Sequence, residues 1–359
     1  MLVLSLSRRV LRFNFPARTS RGALTEHTAH YLHLHEGAAP ASGAPVGLGE
    51  AAPLAGLSPD FGPGFEAQLR DVCRRFNAAG HRHFEAAQVP ALVPATQPAL
   101  RFALETAALD YARGGRRQLY ANDFAQGRAG LPINGLVWMG DAAFMRRQIT
   151  DKLAAGYRCL KLKIGSLDFA TELALLAEIR AAAGPERLML RVDANGAFSP
   201  AEAPARLAAL AHFQIHSIEQ PIRAGQPAAM GALCRDSPMP VALDEELIGV
   251  TAPDAQAALL DAVRPAFVVL KPTLLGGHAA TRRWIALAQE RGIGWWLTSA
   301  LESNVGLNAV AQLTGEYDVA GFAQGLGTGQ LYHNNVGAPL HIRQGRLHFD
   351  PAGAWDFTD

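Results

Sequence analysis

Cys159-Leu160-Lys161-Leu162-Lys163-Ile164-Gly165 is a short apolar run that carries two lysines and ends on a glycine. On a strand, residues two apart share a face, so Lys161 and Lys163 point one way and Leu162 the other. Similar runs follow, each closing on charge: Arg191-Val192-Asp193-Ala194-Asn195, Ile218-Glu219-Gln220-Pro221, Leu243-Asp244-Glu245-Glu246 and Val269-Leu270-Lys271-Pro272. By subtraction, 219 − 193 = 26, 244 − 219 = 25 and 271 − 244 = 27 residues. Each step has the length of one strand-plus-helix unit.

The wider chain keeps this rhythm. Ile133–Met139, Cys159–Ile164, Leu188–Val192, Ile215–Ile218, Val241–Leu243, Phe267–Leu270 and Trp295–Leu297 are apolar runs, with a weaker one near Phe322. Ala/Leu-rich segments of helical spacing lie between them. Alternating strands and helices imply βαβ units and a parallel sheet. An open doubly wound sheet opens with a Gly-rich phosphate turn. Here Gly140-Asp141-Ala142-Ala143 follows the first run and lacks that signature. The expectation is an α/β fold, a (β/α)7β TIM-like barrel over residues 129–325, with the charged residues meeting at its C-terminal mouth.

Residues 1–128 read differently. Val10–Phe15 and Thr28–Leu34 are strand-like, parted by a turn at Ser20, Arg21 and Gly22. Pro40–Leu57 reads as a loop, and Phe65–Ala79 and Pro98–Gly114 as helices. Strands followed by helices make a small α+β unit.

Composition narrows the classes. The 359 residues carry 33 basic and 32 acidic side chains, net +1, with 49% hydrophobic residues. No clustered Lys/Arg run supports nucleic-acid binding. Cys73, Cys159 and Cys234 are odd in number and far apart, which excludes a disulfide framework. No stretch nears the roughly eighteen apolar residues of a membrane span. Met1–Ser7 is apolar but precedes Arg8, Arg9 and Arg12, the reverse of a signal peptide. A cytoplasmic protein is expected, with no membrane partner and its oligomeric state open.

Three carboxylates around one point repel unless a cation lies between them. Asp193, Glu219 and Asp244 offer only oxygen, which suits a hard divalent ion such as Mg²⁺, with Mn²⁺ as a substitute. Singly, each acid reads equally as a helix N-cap. Buried lysines are rare, and repulsion between Lys161 and Lys163 beside a metal lowers their pKa towards that of a general base. Their plainer role is as counter-ions. A metal flanked by opposed lysines suggests proton abstraction next to a carboxylate, with charge stabilised as an enediolate.

The ordered set Lys-x-Lys, Asp-x-Asn, Glu-Gln-Pro, Asp-Glu and Lys-Pro resembles the muconate-lactonising subgroup of the enolase superfamily over nearly the whole chain. That resemblance implies a capping domain over 1–128 and a C-terminal segment, 326–359, packing back on it. It implies Asp193, Glu219 and Asp244 as Mg²⁺ ligands, Lys163 and Lys271 as acid/base pair, and Lys161 as support for Lys163. Phe15–Gly22, Pro132–Gly140, Ser299–Asn304 and Gly325–Leu331 are more specifically similar to the o-succinylbenzoate synthase family. The implied reaction dehydrates a small carboxylate substrate, 2-succinyl-6-hydroxy-2,4-cyclohexadiene-1-carboxylate. Lys163 removes the ring proton and protonates the departing hydroxide, and Lys271 stabilises the enediolate. N-Succinylamino-acid racemases and dipeptide epimerases of the subgroup use the same lysines. The epimerases resemble one another in an Asp-x-Asp near the last strand, where this chain has Gly325-Leu326-Gly327-Thr328-Gly329. A carboxylate-binding barrel without turnover is the remaining alternative.

Ser299 and Ser303 are candidate substrate contacts, with helix capping as the plainer role. Arg21 is a candidate carboxylate contact from a loop over the pocket, and Asn195 is expected to orient Asp193. Tyr31, His33 and His35, with His27 and His30, read as an exposed strand face rather than a zinc site. The glycine string at 325–329 reads as close backbone approach or a turn. Of Trp295 and Trp296, one is expected in the core and one against a helix.

Overall fold

The computed structural model describes residues 1–19, 22–39, 42–138 and 140–358. Strands β1 (Leu2–Thr19), β2 (Gly22–Glu36) and β3 (Val46–Ala51) form an antiparallel sheet in that order. Helix α1 (Phe65–Ala79), the short α2 (Val89–Leu92) and α3 (Pro98–Ala112) cover it. α1 buries Phe65, Leu69, Val72, Cys73 and Phe76, one stripe of a helix, and stops at Gly80 in the left-handed region. α3 starts on a proline, and the Asp60 carboxylate accepts from Ala99 N at 2.9 Å.

Two expectations fail in this unit. β3 stands inside the stretch read as a loop, of which Pro40 and Ala41 lie outside the described residues. Its glycines hid it. A Cβ on Gly49 would lie 1.8 Å from Ala103 O, so only glycine lets the strand press against α3. The face of β2 read as exposed is covered, with Tyr31 and His35 buried and Tyr31 packed in one apolar cluster with Trp138, Leu301 and Val305.

The rest of the chain alternates. After β4 (Leu131–Pro132) come β5 (Gly135–Val137), α4 (Ala142–Ala154), β6 (Cys159–Lys163), α5 (Phe169–Ala182), β7 (Met189–Asp193), α6 (Ala203–Ala211) and β8 (Ser217–Glu219). Then follow α7 (Pro227–Asp236), β9 (Val241–Leu243), α8 (Pro253–Val263), β10 (Phe267–Leu270), α9 (Pro272–Leu275), α10 (Gly277–Glu290), β11 (Gly294–Leu297) and α11 (Asn304–Thr314). β5 to β11 form one seven-stranded parallel sheet in chain order. The weak run near Phe322 forms no strand. Beyond it, Gly325 N donates to Leu297 O of the edge strand β11 (2.8 Å), while Gln324 bonds the segment leading into β5, donating to Pro132 O (2.8 Å) and accepting from Asn134 N (2.9 Å). Arg191 of β7 lies over the rings of Trp296 (4.2 Å) and Phe322 (4.4 Å) and donates to Ala323 O at 2.7 Å. Trp296 is core, while Trp295 packs edge-on to Tyr317.

The hairpin β12 (Leu340–Arg343) and β13 (Arg346–Phe349) pairs with β4. The preceding residues bond β1, Asn14 N to Leu331 O (2.8 Å) and His333 N to Arg12 O (3.1 Å). All three cysteines are free, and among the described residues no helix is long and apolar enough to cross a membrane.

An apolar seam joins the N-terminal unit to the parallel sheet, with Leu11, Phe13, Tyr31 and Leu54 packed on Trp138, Leu301 and Val305. Two glutamates of the N-terminal unit fasten it. Glu50 of β3 accepts from Ser303 N and Gly306 N, both 2.7 Å, at the start of α11. Glu105 of α3 accepts from His278 N (2.5 Å) and Ala279 N (3.2 Å) at the start of α10. A carboxylate suits a helix N-terminus, but burial raises each from 4.5 to about 7. A raised acid binds its proton more tightly folded than unfolded, so stability falls as pH rises from about 4.5 to about 7. Glu50→Gln, which lacks this titration, should therefore gain on the wild type by on the order of 2 kcal/mol between pH 5 and pH 8. Chemical denaturation at both pH values reads this, and a constant difference between the two proteins would refute it.

Candidate active site

The parallel strands bring their charged ends together. Lys163 pairs in register with Asp193, and Asp193 with Glu219, across β6, β7 and β8. Asp244 follows β9 and Lys271 follows β10. Side chains at one level of adjacent parallel strands stand side by side, so five residues from five strand ends share one mouth. The three acids are 0, 2 and 2% exposed.

Every acid meets a lysine. Lys161 Nζ lies 2.8 Å from Asp193 Oδ2 and 2.7 Å from Glu219 Oε1 and Oε2. Lys163 Nζ donates to Asp193 Oδ2 (2.6 Å) and Asn195 Oδ1 (2.8 Å), and Lys271 Nζ donates to Asp244 Oδ2. Burial would raise Asp193, but Lys161 and Lys163 hold it well below the usual range. Burial and the Asp193 carboxylate push Glu219 well above it. Burial pulls Lys161 and Lys271 down, yet the facing carboxylates outweigh it and both amines lie above their ordinary value. The lowering expected of Lys161 beside a metal is opposed by these carboxylates. Attraction from Asp193 and Glu219, or from Asp244 and Glu245, is the larger effect.

Asn195 bonds the aspartate it was expected to orient. In the left-handed region at φ 44°, it donates its own N–H to Asp193 Oδ1 at 2.9 Å. Gln220 is a further positioning residue, within the Glu-Gln-Pro motif but not singled out. Its Oε1 accepts from Asp244 N (3.1 Å) and its Nε2 donates to Ile222 O (3.0 Å), which sets the backbone of Asp244.

A cavity opens above the lysines, walled by Leu54 and Leu57 of the N-terminal unit and by Leu136, Trp138 and Leu301. Lys161, Lys163 and Lys271 line it, and its described lining contains no carboxylate. Ser299 lines it too, but its hydroxyl donates to Glu302 Oε2 (2.6 Å) and accepts from Leu301 N (3.0 Å). Ser303 stands apart from the described lining. Its hydroxyl caps α11 through Val305 N (3.2 Å) and donates to Glu50 Oε2 (2.5 Å), so the capping role prevails over substrate contact. Arg21 lies outside the described residues, as do Ser20 and Met139. Unlike Ser299, Asn134 and Thr328 reach the cavity with buried oxygens, Oδ1 and Oγ1, that have no protein partner. Both sit in the stretches Pro132–Gly140 and Gly325–Leu331, which marked the region but not the residue. Gly325 and Gly327 line the same wall.

The donor set fits a divalent cation. Three buried carboxylates offer oxygen alone, and burial together with the neighbouring Asp193 charge pushes Glu219 up. Among the described residues no three His, Cys, Asp or Glu side chains already stand in coordinating positions, since the ammonium groups occupy the carboxylate oxygens.

Comparison with known proteins agrees with this geometry. Residues 144–353 match the family Enolase C-terminal domain-like. The chain is 48% identical to the o-succinylbenzoate synthase of Desulfotalea psychrophila (strain LSv54 / DSM 12343), over 96% of this chain and 98% of that one. The crystal structure of MenC from Desulfotalea psychrophila LSv54 superposes with a TM-score of 0.83 at 45% identity, covering 97% and 99%. A dipeptide epimerase from Enterococcus faecalis V583, complexed with Mg and L-Leu-L-Tyr, shares the fold at a TM-score of 0.80 and 17% identity, covering 97% and 96%. The chain belongs to the enolase superfamily and, within it, to the o-succinylbenzoate synthase family.

Proposed function

We propose that the chain dehydrates 2-succinyl-6-hydroxy-2,4-cyclohexadiene-1-carboxylate to 2-succinylbenzoate, a reaction of menaquinone biosynthesis. The full-length likeness to an o-succinylbenzoate synthase carries the proposal. A cavity lined by three lysines and, among its described lining, no carboxylate suits a substrate with two carboxylates better than one with an ammonium group. Lys163 takes the proton alpha to the ring carboxylate. The same amine, now an ammonium, returns a proton to the leaving hydroxyl, so water departs and the ring becomes aromatic. Lys271, held protonated beside Asp244, faces the developing negative charge. Lys161 spans Asp193 and Glu219 and fixes their spacing beside Lys163. The Thr328 hydroxyl, buried in the cavity wall without a protein partner, donates to an oxygen of the succinyl arm.

Asp193, Glu219 and Asp244 would hold Mg²⁺, or Mn²⁺ in its place. When bound, the ion supplies Lewis-acid stabilisation of charge on the substrate carboxylate. The Enterococcus faecalis epimerase, which shares the fold, contains Mg. The links through Gln324 and Gly325 support a sheet closed as a (β/α)7β barrel over 129–325, with a capping domain at 1–128 and a C-terminal segment from 326.

An ultraviolet progress curve tests the assignment. Metal-dependent loss of the diene absorbance is expected, and metal-loaded, folded protein that leaves it unchanged would sink the synthase. Racemisation of N-succinylamino acids is the second reading, favoured by Lys163 and Lys271 both lining the cavity. Loss of optical rotation without diene turnover would establish it instead.

A further inference from the structure

Lys163 sits at the last position of β6, where a strand gives way to a turn. Something must hold that turn if the amine is to stay in place. Glu172, on the first turn of α5 and 2% exposed, does so with one oxygen. Its Oε1 accepts from three consecutive backbone donors, Gly165 N (2.7 Å), Ser166 N (3.1 Å) and Leu167 N (3.2 Å). A carboxylate that gathers three successive N–H groups closes the turn like a bound anion in a backbone nest.

The clasped turn is wedged against the neighbouring loop. Gly165 has φ +91°, and a Cβ there would lie 2.5 Å from the Ala197 Cβ. Ala197 stands two residues beyond Asn195, whose Oδ1 accepts from Lys163 Nζ, and Ile164 N donates to Asp193 O at 2.9 Å. One side chain therefore fixes the turn after Lys163 and, through it, the loop that carries both partners of that amine. Glu172 itself is absent from the cavity lining.

We infer that Glu172 is a positioning residue that aims Lys163 at the substrate proton by clasping the 165–167 turn. This rests on Lys163 being the base. A displacement of about 1 Å in a reacting group costs on the order of 10²-fold in rate, whereas substrate binding, spread over the whole cavity, is less sensitive. The signature is thus a fall in kcat with little change in KM.

Four variants test it: Glu172→Ala, Glu172→Asp, Glu172→Gln and Lys163→Ala, each checked for folding by circular dichroism and thermal melting. Glu172→Asp keeps the charge but is one methylene short of the turn, and its kcat should fall by about 10-fold or more at nearly constant KM. Glu172→Ala should fall further. Glu172→Gln keeps an acceptor oxygen at the right reach and should stay within about 3-fold of the wild type, which a need for the charge would not allow. Wild-type kcat in folded Glu172→Asp, or equal losses in the Gln and Ala variants, would overturn the inference. If Glu172→Ala fails to fold, the Asp and Gln pair still decides it. Retained activity in Lys163→Ala would instead refute the base assignment, a separate failure.

Discussion

Lys163→Ala should give a folded protein whose kcat for the cyclohexadiene carboxylate is lower by at least about 10³-fold. The size follows from the double duty of one amine. It both takes the alpha proton and delivers a proton to the leaving hydroxyl, so its loss removes acid and base catalysis together. The fold should survive because Asp193, the carboxylate left behind, keeps Lys161 at 2.8 Å and the Asn195 N–H at 2.9 Å. A buried acid with those partners is not orphaned. Single-turnover absorbance and a thermal melt measure the two halves. A variant within 10-fold of wild-type kcat would remove Lys163 from the mechanism, and one that melts early would show the amine to be mainly a counter-ion.

Asp244→Ala should weaken Mg²⁺ binding by about 10²-fold or more and take activity down with it. Two effects add. An oxygen ligand of a hard cation is lost, and the Lys271 ammonium, which donates to Asp244 Oδ2, loses its partner beside the same site. Gln220 would still bond the backbone N–H of residue 244, so the loop should stay in place. Titration calorimetry with Mg²⁺ alone reads the affinity without any dependence on turnover. Unchanged affinity would break the proposed ligand set.

Much of this site was legible in the sequence because strand geometry is regular. A Lys-x-Lys on a strand has to point both amines the same way, and charged residues spaced by one βα unit have to meet at one end of a parallel sheet. Charge balance was harder to read. The acids and lysines were visible, but the attraction that raises Lys161 and Lys271 depends on distances of under 3 Å that spacing cannot supply. β3 escaped because Val46-Gly47-Leu48-Gly49 carries turn residues, and their purpose, contact with α3, is tertiary. Ser303 misled for a related reason: a serine after a strand looks the same whether it faces a ligand or a helix terminus. Glu172 and Gln220 act on backbone N–H groups, which leave no mark in a side-chain pattern.

The glutamates that fasten the seam bear on how such proteins exchange parts. Helices α10 and α11 begin with N–H groups satisfied by Glu105 and Glu50, residues far earlier in the chain. The C-terminal helices were therefore shaped in the presence of the N-terminal unit, and neither half is a self-sufficient module. A chimera that grafts a relative's N-terminal unit onto this parallel sheet would inherit two bare helix termini wherever the graft lacks acids at these points. Recombination within the superfamily should succeed only where both glutamates travel with the N-terminal unit.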